Sequence, residues 1–177
     1  MSDFEFSNLI VDIPDYPEPG VIFKDVTPLL SDPQGFAAAI DAICDHFMGR
    51  GVTKVVGAEA RGFLVGAPIA YRLCAGFVPA RKPGKLPRDV YSESYSLEYG
   101  TDELQIHKDA LKPGDKVLII DDLIATGGTS VASARLVEKA GAQIEGFAYL
   151  LELAFLNPRD AIAKVSDKEV FSLVKVD

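Results

Sequence analysis

The stretch VLIIDDLIATGGTS, residues 117–130, joins an apolar run to two adjacent aspartates and a glycine-rich loop. The apolar run predicts a buried strand over residues 116–121. After the loop, apolar residues recur at helical spacing until a glycine, so we predict a helix over residues 129–141. A buried strand followed directly by a helix is the repeating unit of an α/β fold with a parallel sheet.

The rest of the chain alternates in the same way. The pair Asp32-Pro33 is suited to start a helix that ends before Gly49, and residues 12–20 hold too many prolines for a helix. Further elements are predicted as strands over 53–58, 76–80, 143–153 and 169–176, a helix over 63–76, a loop over 81–89 and a weakly alternating ribbon over 90–99. The expected fold is α/β, a Rossmann-like, mostly parallel sheet flanked by helices.

Composition narrows the class of protein. The chain has 177 residues and a mass of 19.0 kDa, which suits a single domain. Its net charge of −8 argues against nonspecific nucleic-acid binding. The start of the chain lacks a secretory pattern, and no apolar run approaches the roughly 18 residues of a membrane span, so we expect a cytoplasmic protein with no membrane partner. Two cysteines and two histidines favour neither a disulfide framework nor a zinc site.

The loop after the first strand has the chemistry of a phosphate cradle. Glycines allow close approach of a ligand, threonine hydroxyls donate hydrogen bonds, and the following helix presents free N–H groups. The predicted phosphate-binding residues are Ala125, Thr126, Gly127, Gly128 and Thr129. Neither the P-loop motif nor the dinucleotide fingerprint is present in the sequence.

Asp121 and Asp122 indicate that the ligand carries hydroxyl groups as well as a phosphate. Carboxylates are poor partners for phosphate but good acceptors for vicinal hydroxyls, so a ribose 5-phosphate would satisfy both halves of the stretch. The aspartates would also favour Mg²⁺, bound directly or through water. From these residues alone, two other interpretations of the aspartates stay open: a general acid/base pair, or a metal site without a sugar.

Residues 117–130 closely resemble the phosphoribosyl pyrophosphate signature of type I phosphoribosyltransferases. Four further segments resemble one branch, the adenine phosphoribosyltransferases: PGVIFKDVTPLL (19–30), GAEARGF (57–63), RKPGKLP (81–87) and SYSLEYG (94–100). The resemblance implies transfer of a phosphoribosyl group to adenine in purine salvage, with magnesium held mainly by the substrate. It also implies one domain over 1–177, with a base-binding hood over 1–32, a flexible lid over 81–107, and a homodimer in which a residue can cross between subunits.

The resemblance also implies roles for residues outside the signature. Glu98 would be the catalytic acid/base, and Tyr95 and Tyr99 would close the lid. Diphosphate would be bound by Glu59, Ala60, Arg61, Arg81, Lys82 and Lys85. Adenine would be bound by Ile22, Phe23, Lys24 and Leu153. The family commonly has arginine at the position of Lys24, so a backbone contact survives there but a guanidinium contact does not.

Two other functions compete with this one. A sibling enzyme would use xanthine or hypoxanthine, and a regulator would bind phosphoribosyl pyrophosphate without turning it over. The segment SYSLEYG favours adenine, while the cations of the lid and the few residues before the first motif argue against a DNA-binding regulator. We predict that Cys44 is a core residue and that His107 lies at the surface.

Overall fold

A computed structural model of the chain describes residues 5–96 and 101–177. Its centre is a five-stranded sheet in which all neighbouring strands are parallel. The sheet strands are β3 (Lys54–Ala58), β4 (Gly76–Ala80), β7 (Lys116–Ile124), β8 (Gln143–Leu153) and β9 (Val170–Val176), in the spatial order β4-β3-β7-β8-β9. The predicted α/β class with a parallel sheet is confirmed.

Helices connect these strands across both faces of the sheet. The α-helices are α1 (Thr27–Ser31), α2 (Pro33–Phe47), α3 (Arg61–Arg72), α4 (Gly128–Lys139) and α5 (Pro158–Ala163), and short 3₁₀ turns span Phe6–Leu9 and Ala154–Leu156. As predicted, α2 starts at a cap, where the Asp32 carboxylate accepts the N–H groups of Gln34 and Gly35 at 3.1 and 2.7 Å. Among the described residues, no helix is both long enough and apolar enough to cross a bilayer.

Two antiparallel ribbons lie outside the central sheet. Near the start of the chain β1 (Val11–Pro14) pairs with β2 (Ile22–Asp25), and later β5 (Val90–Ser96) pairs with β6 (Thr101–His107). The second ribbon confirms the weak alternation predicted over 90–99 as far as Ser96. The first was not predicted, because its strands are only four residues long and one ends in a proline.

The core has two layers, one on each face of the sheet. Alternation along β7 sends Val117 and Ile119 to one face and Leu118 and Ile120 to the other, and all four are buried. The first layer is closed by α4, α5 and β6, and the second by α2 and α3. Cys44, fully buried in the second layer, is the core residue that was predicted.

Two elements differ from the predicted bounds by more than two residues at one end, and the other predicted strands and helices of the sheet agree within two residues. The helix predicted over 63–76 runs over Arg61–Arg72 and contains Pro68 in its interior. The strand predicted over 116–121 continues to Ile124, because β7 keeps pairing with β8 beyond the aspartates, up to Ile124 opposite Glu152. The strand predicted over 143–153 has both ends confirmed.

Candidate functional site

A cleft of about 450 Å³ opens at the carboxyl edge of the sheet, where β3 and β7 diverge. Strand order reverses there, since the chain leaves β3 for β4 on one side and returns to β7 on the other. This switch point is where parallel α/β sheets place their ligands. The described residues that line the cleft are Glu59, Ala60, Arg61, Lys82, Tyr95, Leu104, Asp121, Asp122, Leu123, Ile124, Ala125, Thr126, Gly127, Gly128, Thr129 and Ser130.

The unequal lengths of β3 and β7 create this opening. The register of the two strands ends with Gly57 opposite Ile120, while β7 continues for another four residues beside β8. The backbone from Asp121 onward therefore has an edge that β3 does not cover. The aspartates lie within this uncovered part of β7, not at the end of the strand as predicted.

Close packing on the other side of the cleft depends on Gly62 in the first turn of α3. A Cβ at this position would lie 2.9 Å from the Asp121 carboxylate and 3.3 Å from the Ile120 carbonyl oxygen. Any side chain here would push α3 away from β7. The glycine lets the first turn of α3 approach the aspartates directly, so Arg61, the first residue of α3, reaches the cleft.

Asp122 and Arg61 form an ion pair across the cleft, with the guanidinium Nε donating to the carboxylate. Asp122 is only 4% exposed, whereas half of the Arg61 side chain is open to solvent. A buried carboxylate needs such a partner to offset its lost hydration. The structure thus joins a predicted ribose residue to a predicted diphosphate residue.

Asp121 has a different environment from its neighbour. Burial, followed by the negative charge of Asp122, raises the pKa of the Asp121 carboxyl well above its ordinary value. The Asp121 carboxylate also accepts the backbone N–H of Asp122 at 2.9 Å. Asp121 is therefore the carboxyl that would gain most from ligand hydroxyls or a cation.

The loop of residues 125–129, here called the phosphate loop, leads straight into α4. Gly127 is the residue before the helix and has a φ of +86°, which favours glycine. Gly127 has no side chain that could cap the helix, which leaves the first N–H groups of α4 available to an anion. Beneath the first turn, the buried Tyr149 hydroxyl donates to Ser130 Oγ at 2.6 Å.

Glu59 anchors the start of the segment over 81–89. Its carboxylate accepts the Arg81 guanidinium at 3.0 Å and the Lys82 backbone N–H at 2.8 Å. Burial acts to raise the pKa of Glu59, but these two donors lower it below its usual value. Glu59 and Ala60 are joined by a cis peptide bond. The position of Glu59 suits holding cations in place, whereas its negative charge would repel diphosphate.

Lys82 bridges this segment to the β5–β6 ribbon. Its ammonium pairs with the Asp102 carboxylate, which also accepts the Tyr95 hydroxyl at 3.2 Å. Lys82 and Tyr95 both line the cleft. Lys85 follows in a turn closed by its N–H on the Lys82 carbonyl, and its charge helps to lower the pKa of Glu59.

The residues predicted to bind the base are not brought into this cleft in the described part of the chain. Ile22, Phe23 and Lys24 lie on β2, where Phe23 packs edge-to-face on Tyr16 with 5.3 Å between ring centroids. The Lys24 ammonium pairs with Asp12 at 2.7 Å. Leu153 ends β8, at the same edge of the sheet as the cleft. The predicted catalytic Glu98 and lid residue Tyr99 lie outside the described residues.

Several residues around the site were not predicted from the sequence. Asp102, Ser130, Tyr149 and Glu152 act through partners on other elements, which the sequence does not place beside them. Only Glu152, a charge inside the apolar run YLLEL, carries a visible signal. His107, which was predicted at the surface, is half-buried at the end of β6. Its Nε2 atom is buried and has no hydrogen-bond partner among the described residues.

The described residues give no cluster of three or more His, Cys, Asp and Glu side chains that could hold a metal ion. Mg²⁺ typically keeps several waters and needs only one or two carboxylates together with substrate phosphates. The adjacent Asp121 and Asp122 fit that limited role.

The fold and the cleft define a phosphoribosyltransferase: a parallel sheet with a glycine-rich loop, an aspartate pair and cations at its switch point. The phosphoribosyl transferase domain family matches residues 25–176. An adenine phosphoribosyltransferase of Desulfitobacterium hafniense is 51% identical over 175 residues, which are 99% of both chains. The chain belongs to the adenine phosphoribosyltransferase family.

Solved structures agree with this membership. The adenine phosphoribosyltransferase of Thermoanaerobacter pseudethanolicus is 48% identical, with a TM-score of 0.90 over 97% of this chain and 98% of that one. The Saccharomyces cerevisiae enzyme, solved with adenine and an imino-altritol bisphosphate, is 36% identical, with a TM-score of 0.88 over 96% of both chains.

Proposed function

We propose that this enzyme transfers the 5-phosphoribosyl group from phosphoribosyl pyrophosphate to adenine, giving AMP and diphosphate. The observation that carries the proposal is the composition of the cleft at the switch point. An anion cradle, a carboxylate pair and two cations surround one space of about 450 Å³, and each matches a different part of phosphoribosyl pyrophosphate. The choice of adenine rests on the relatives, which are adenine phosphoribosyltransferases.

Each part of the substrate has a proposed partner. The phosphate loop would hold the 5-phosphate through the N–H groups of α4 and the hydroxyls of Thr126 and Thr129. Asp121 and Asp122 would accept the ribose hydroxyls. Arg61 and Lys82 would neutralise the diphosphate as it leaves, so that negative charge developing in the transition state meets preorganised cations.

Magnesium fits this arrangement as a substrate-borne ion. When bound, it would neutralise diphosphate oxygens and help that group to leave. On the protein side, Asp121 and Asp122 would orient the ion directly or through water.

The proposed base site rests on the hood and on Leu153. Phe23 would stack on the purine, the backbone of Ile22 and Lys24 would contact its edge, and Leu153 would add an apolar wall. Glu98 would hold or accept the purine proton as the new bond forms. A cytoplasmic homodimer remains the expectation from the family, and exposed side chains such as Ile22, Leu64 and Tyr71 offer apolar surface for such a contact.

The reaction is tested by incubating the protein with phosphoribosyl pyrophosphate, Mg²⁺ and one of adenine, hypoxanthine or xanthine, and separating the nucleotides formed. We expect AMP from adenine and little product from the other bases. Omission of Mg²⁺, with a chelator present, should abolish turnover. Turnover of hypoxanthine without turnover of adenine would show a sibling specificity, and binding of phosphoribosyl pyrophosphate with no turnover of any base would show a regulator.

A further inference from the structure

Glu152 is a buried carboxylate close to the phosphate loop that has no place in the proposed reaction. It lies one residue before the end of β8 and is 1% exposed. In the sheet it stands opposite Ile124, the residue immediately before the loop. A carboxylate so deeply buried is costly to keep unless its oxygens are fully bonded.

Both oxygens of Glu152 are bonded by neighbouring elements. The Arg159 guanidinium donates from Nε to one oxygen and from Nη2 to the other, each at 2.7 Å, and the Ser172 hydroxyl donates to the second oxygen at 2.7 Å. Burial acts to raise the pKa of Glu152, but these donors lower it below its usual value. A two-pronged contact of this kind fixes direction as well as distance.

Arg159 is the second residue of α5, a helix of six residues. A helix this short does not hold its shape in water without tertiary contacts. Its anchors in the structure are the Arg159 fork and the buried side chains of Pro158 and Ile162. The place of α5 therefore depends on Glu152.

In turn, α5 forms the back wall of the phosphate loop. A Cβ built on Gly127 would lie 3.1 Å from the Pro158 carbonyl oxygen and 3.1 Å from the Ala161 methyl group. The middle of the loop thus rests directly on the helix that Arg159 holds. The start of the loop follows Ile124, which pairs with Glu152 itself.

We propose that Glu152 and Arg159 are positioning residues that fix the phosphate loop from behind through α5 and thereby set affinity for the 5-phosphate group. Glu152 lies beside Ile124, where the loop starts, and its carboxylate also holds Arg159 of α5, which supports the middle of the loop. Loosening the bonds between Glu152 and Arg159 would therefore let the loop move relative to β7. This inference rests on the proposed function, because it assumes that residues 125–129 bind that phosphate.

The variant Arg159→Lys tests the inference, since lysine keeps the charge but cannot form the fork. Calorimetry would measure the binding of ribose 5-phosphate, which needs the loop, and of inorganic diphosphate, which is assigned to Arg61 and Lys82. We expect the Kd for ribose 5-phosphate to rise by about tenfold or more, because small misplacements of a binding group are costly. The Kd for diphosphate should stay within about twofold, because Arg61 and Lys82 do not lie on the phosphate loop or on α5 and should keep their positions. Arg72→Lys, at the far end of α3 and paired with Asp41, is the matched control and should change neither affinity.

Several outcomes separate this role from a merely structural one. Equal loss of both affinities, or loss of neither, overturns the inference. If Arg159→Lys does not fold in urea titrations, Ser172→Ala is the second variant. It removes the donor that helps to orient the Glu152 carboxylate, and so loosens the fork without breaking it. That variant must then show a smaller loss confined to ribose 5-phosphate, and no such loss overturns the inference. Failure of the unaltered protein to bind ribose 5-phosphate would instead overturn the proposed function.

Discussion

Asp121 and Asp122 show how far two adjacent residues can differ. The sequence predicts both beside a sugar, and both line the cleft. Their electrostatics could not be predicted, because neighbouring residues of a strand point to opposite faces and the partner Arg61 comes from another element. Asp122 has its cation already, whereas the pKa of Asp121 is raised by burial and by the charge of Asp122. Asp121 therefore carries unfavourable energy that a bound substrate would relieve.

This difference predicts that Asp121→Asn stabilises the free protein while weakening substrate binding. The Asp121 carboxyl holds its proton more tightly in the folded state than in the unfolded state, where its pKa is near 3.8. The free energy of unfolding thus falls as pH rises from 3.8 through the raised pKa, and the loss is complete above it. The amide avoids that loss, so urea titrations at neutral pH should show a gain of about 1 kcal/mol. The gain should shrink as the pH approaches 3.8.

The companion variant Asp122→Asn should have the opposite effect on stability, because it breaks the buried pair with Arg61. Both variants should weaken binding of phosphoribosyl pyrophosphate in calorimetry. An Asp121→Asn protein that is no more stable than the unaltered one at neutral pH would contradict the proposed cost of the buried Asp121 charge. Unchanged affinity in both variants would contradict the ribose assignment.

Among the elements, β7, the phosphate loop and α4 were predictable from one stretch, since strand, loop and helix signals follow one another without a gap. The extension of β7 to Ile124 was not, because it depends on continued pairing with β8. Nor was α5, whose six residues are too few for a clear helical period. Local sequence patterns therefore could not predict α5, the helix that forms the back wall of the phosphate loop.

The role of that wall predicts the effect of Gly127→Ala. The variant adds a methyl group at a φ of +86° and places it 3.1 Å from α5 atoms. We expect a loss of about 1–2 kcal/mol from the backbone conformation alone, measured by urea unfolding. Because the contact with α5 must also give way, affinity for ribose 5-phosphate should fall by about a hundredfold.

Gly114→Ala separates the two effects of the Gly127 variant. Gly114 has a φ of +93°, but a Cβ there would meet nothing within 4 Å. This variant should lose similar stability and keep its affinity for ribose 5-phosphate. If Gly127→Ala also kept its affinity, the phosphate would not be held by this loop.

Across the whole molecule, the site draws on segments far apart in the chain. The resemblance predicted the segments 57–63, 81–87 and 117–130, and the described residues of all three contribute to the cleft. It could not predict how they are tied together, because the bonds from Glu59 to Arg81 and from Lys82 to Asp102 join groups whose spacing carries no signal. The hood residues on β2 stay a prediction from resemblance.

Glu98 lies in the sequence between the end of β5 at Ser96 and the start of β6 at Thr101. As the proposed acid/base for the purine proton, Glu98 should matter to the chemical step and not to binding of the other substrate. We expect Glu98→Gln to lower kcat by about 10²- to 10⁴-fold, the usual contribution of general acid–base catalysis. The Kd for phosphoribosyl pyrophosphate, measured by calorimetry without adenine, should stay nearly unchanged. Glu103→Gln, on the β5–β6 ribbon and bonded to Gln105, is the control for ribbon folding and should keep normal turnover. Near-normal turnover in Glu98→Gln would remove this glutamate from the mechanism, and a parallel loss of affinity would assign it to binding instead.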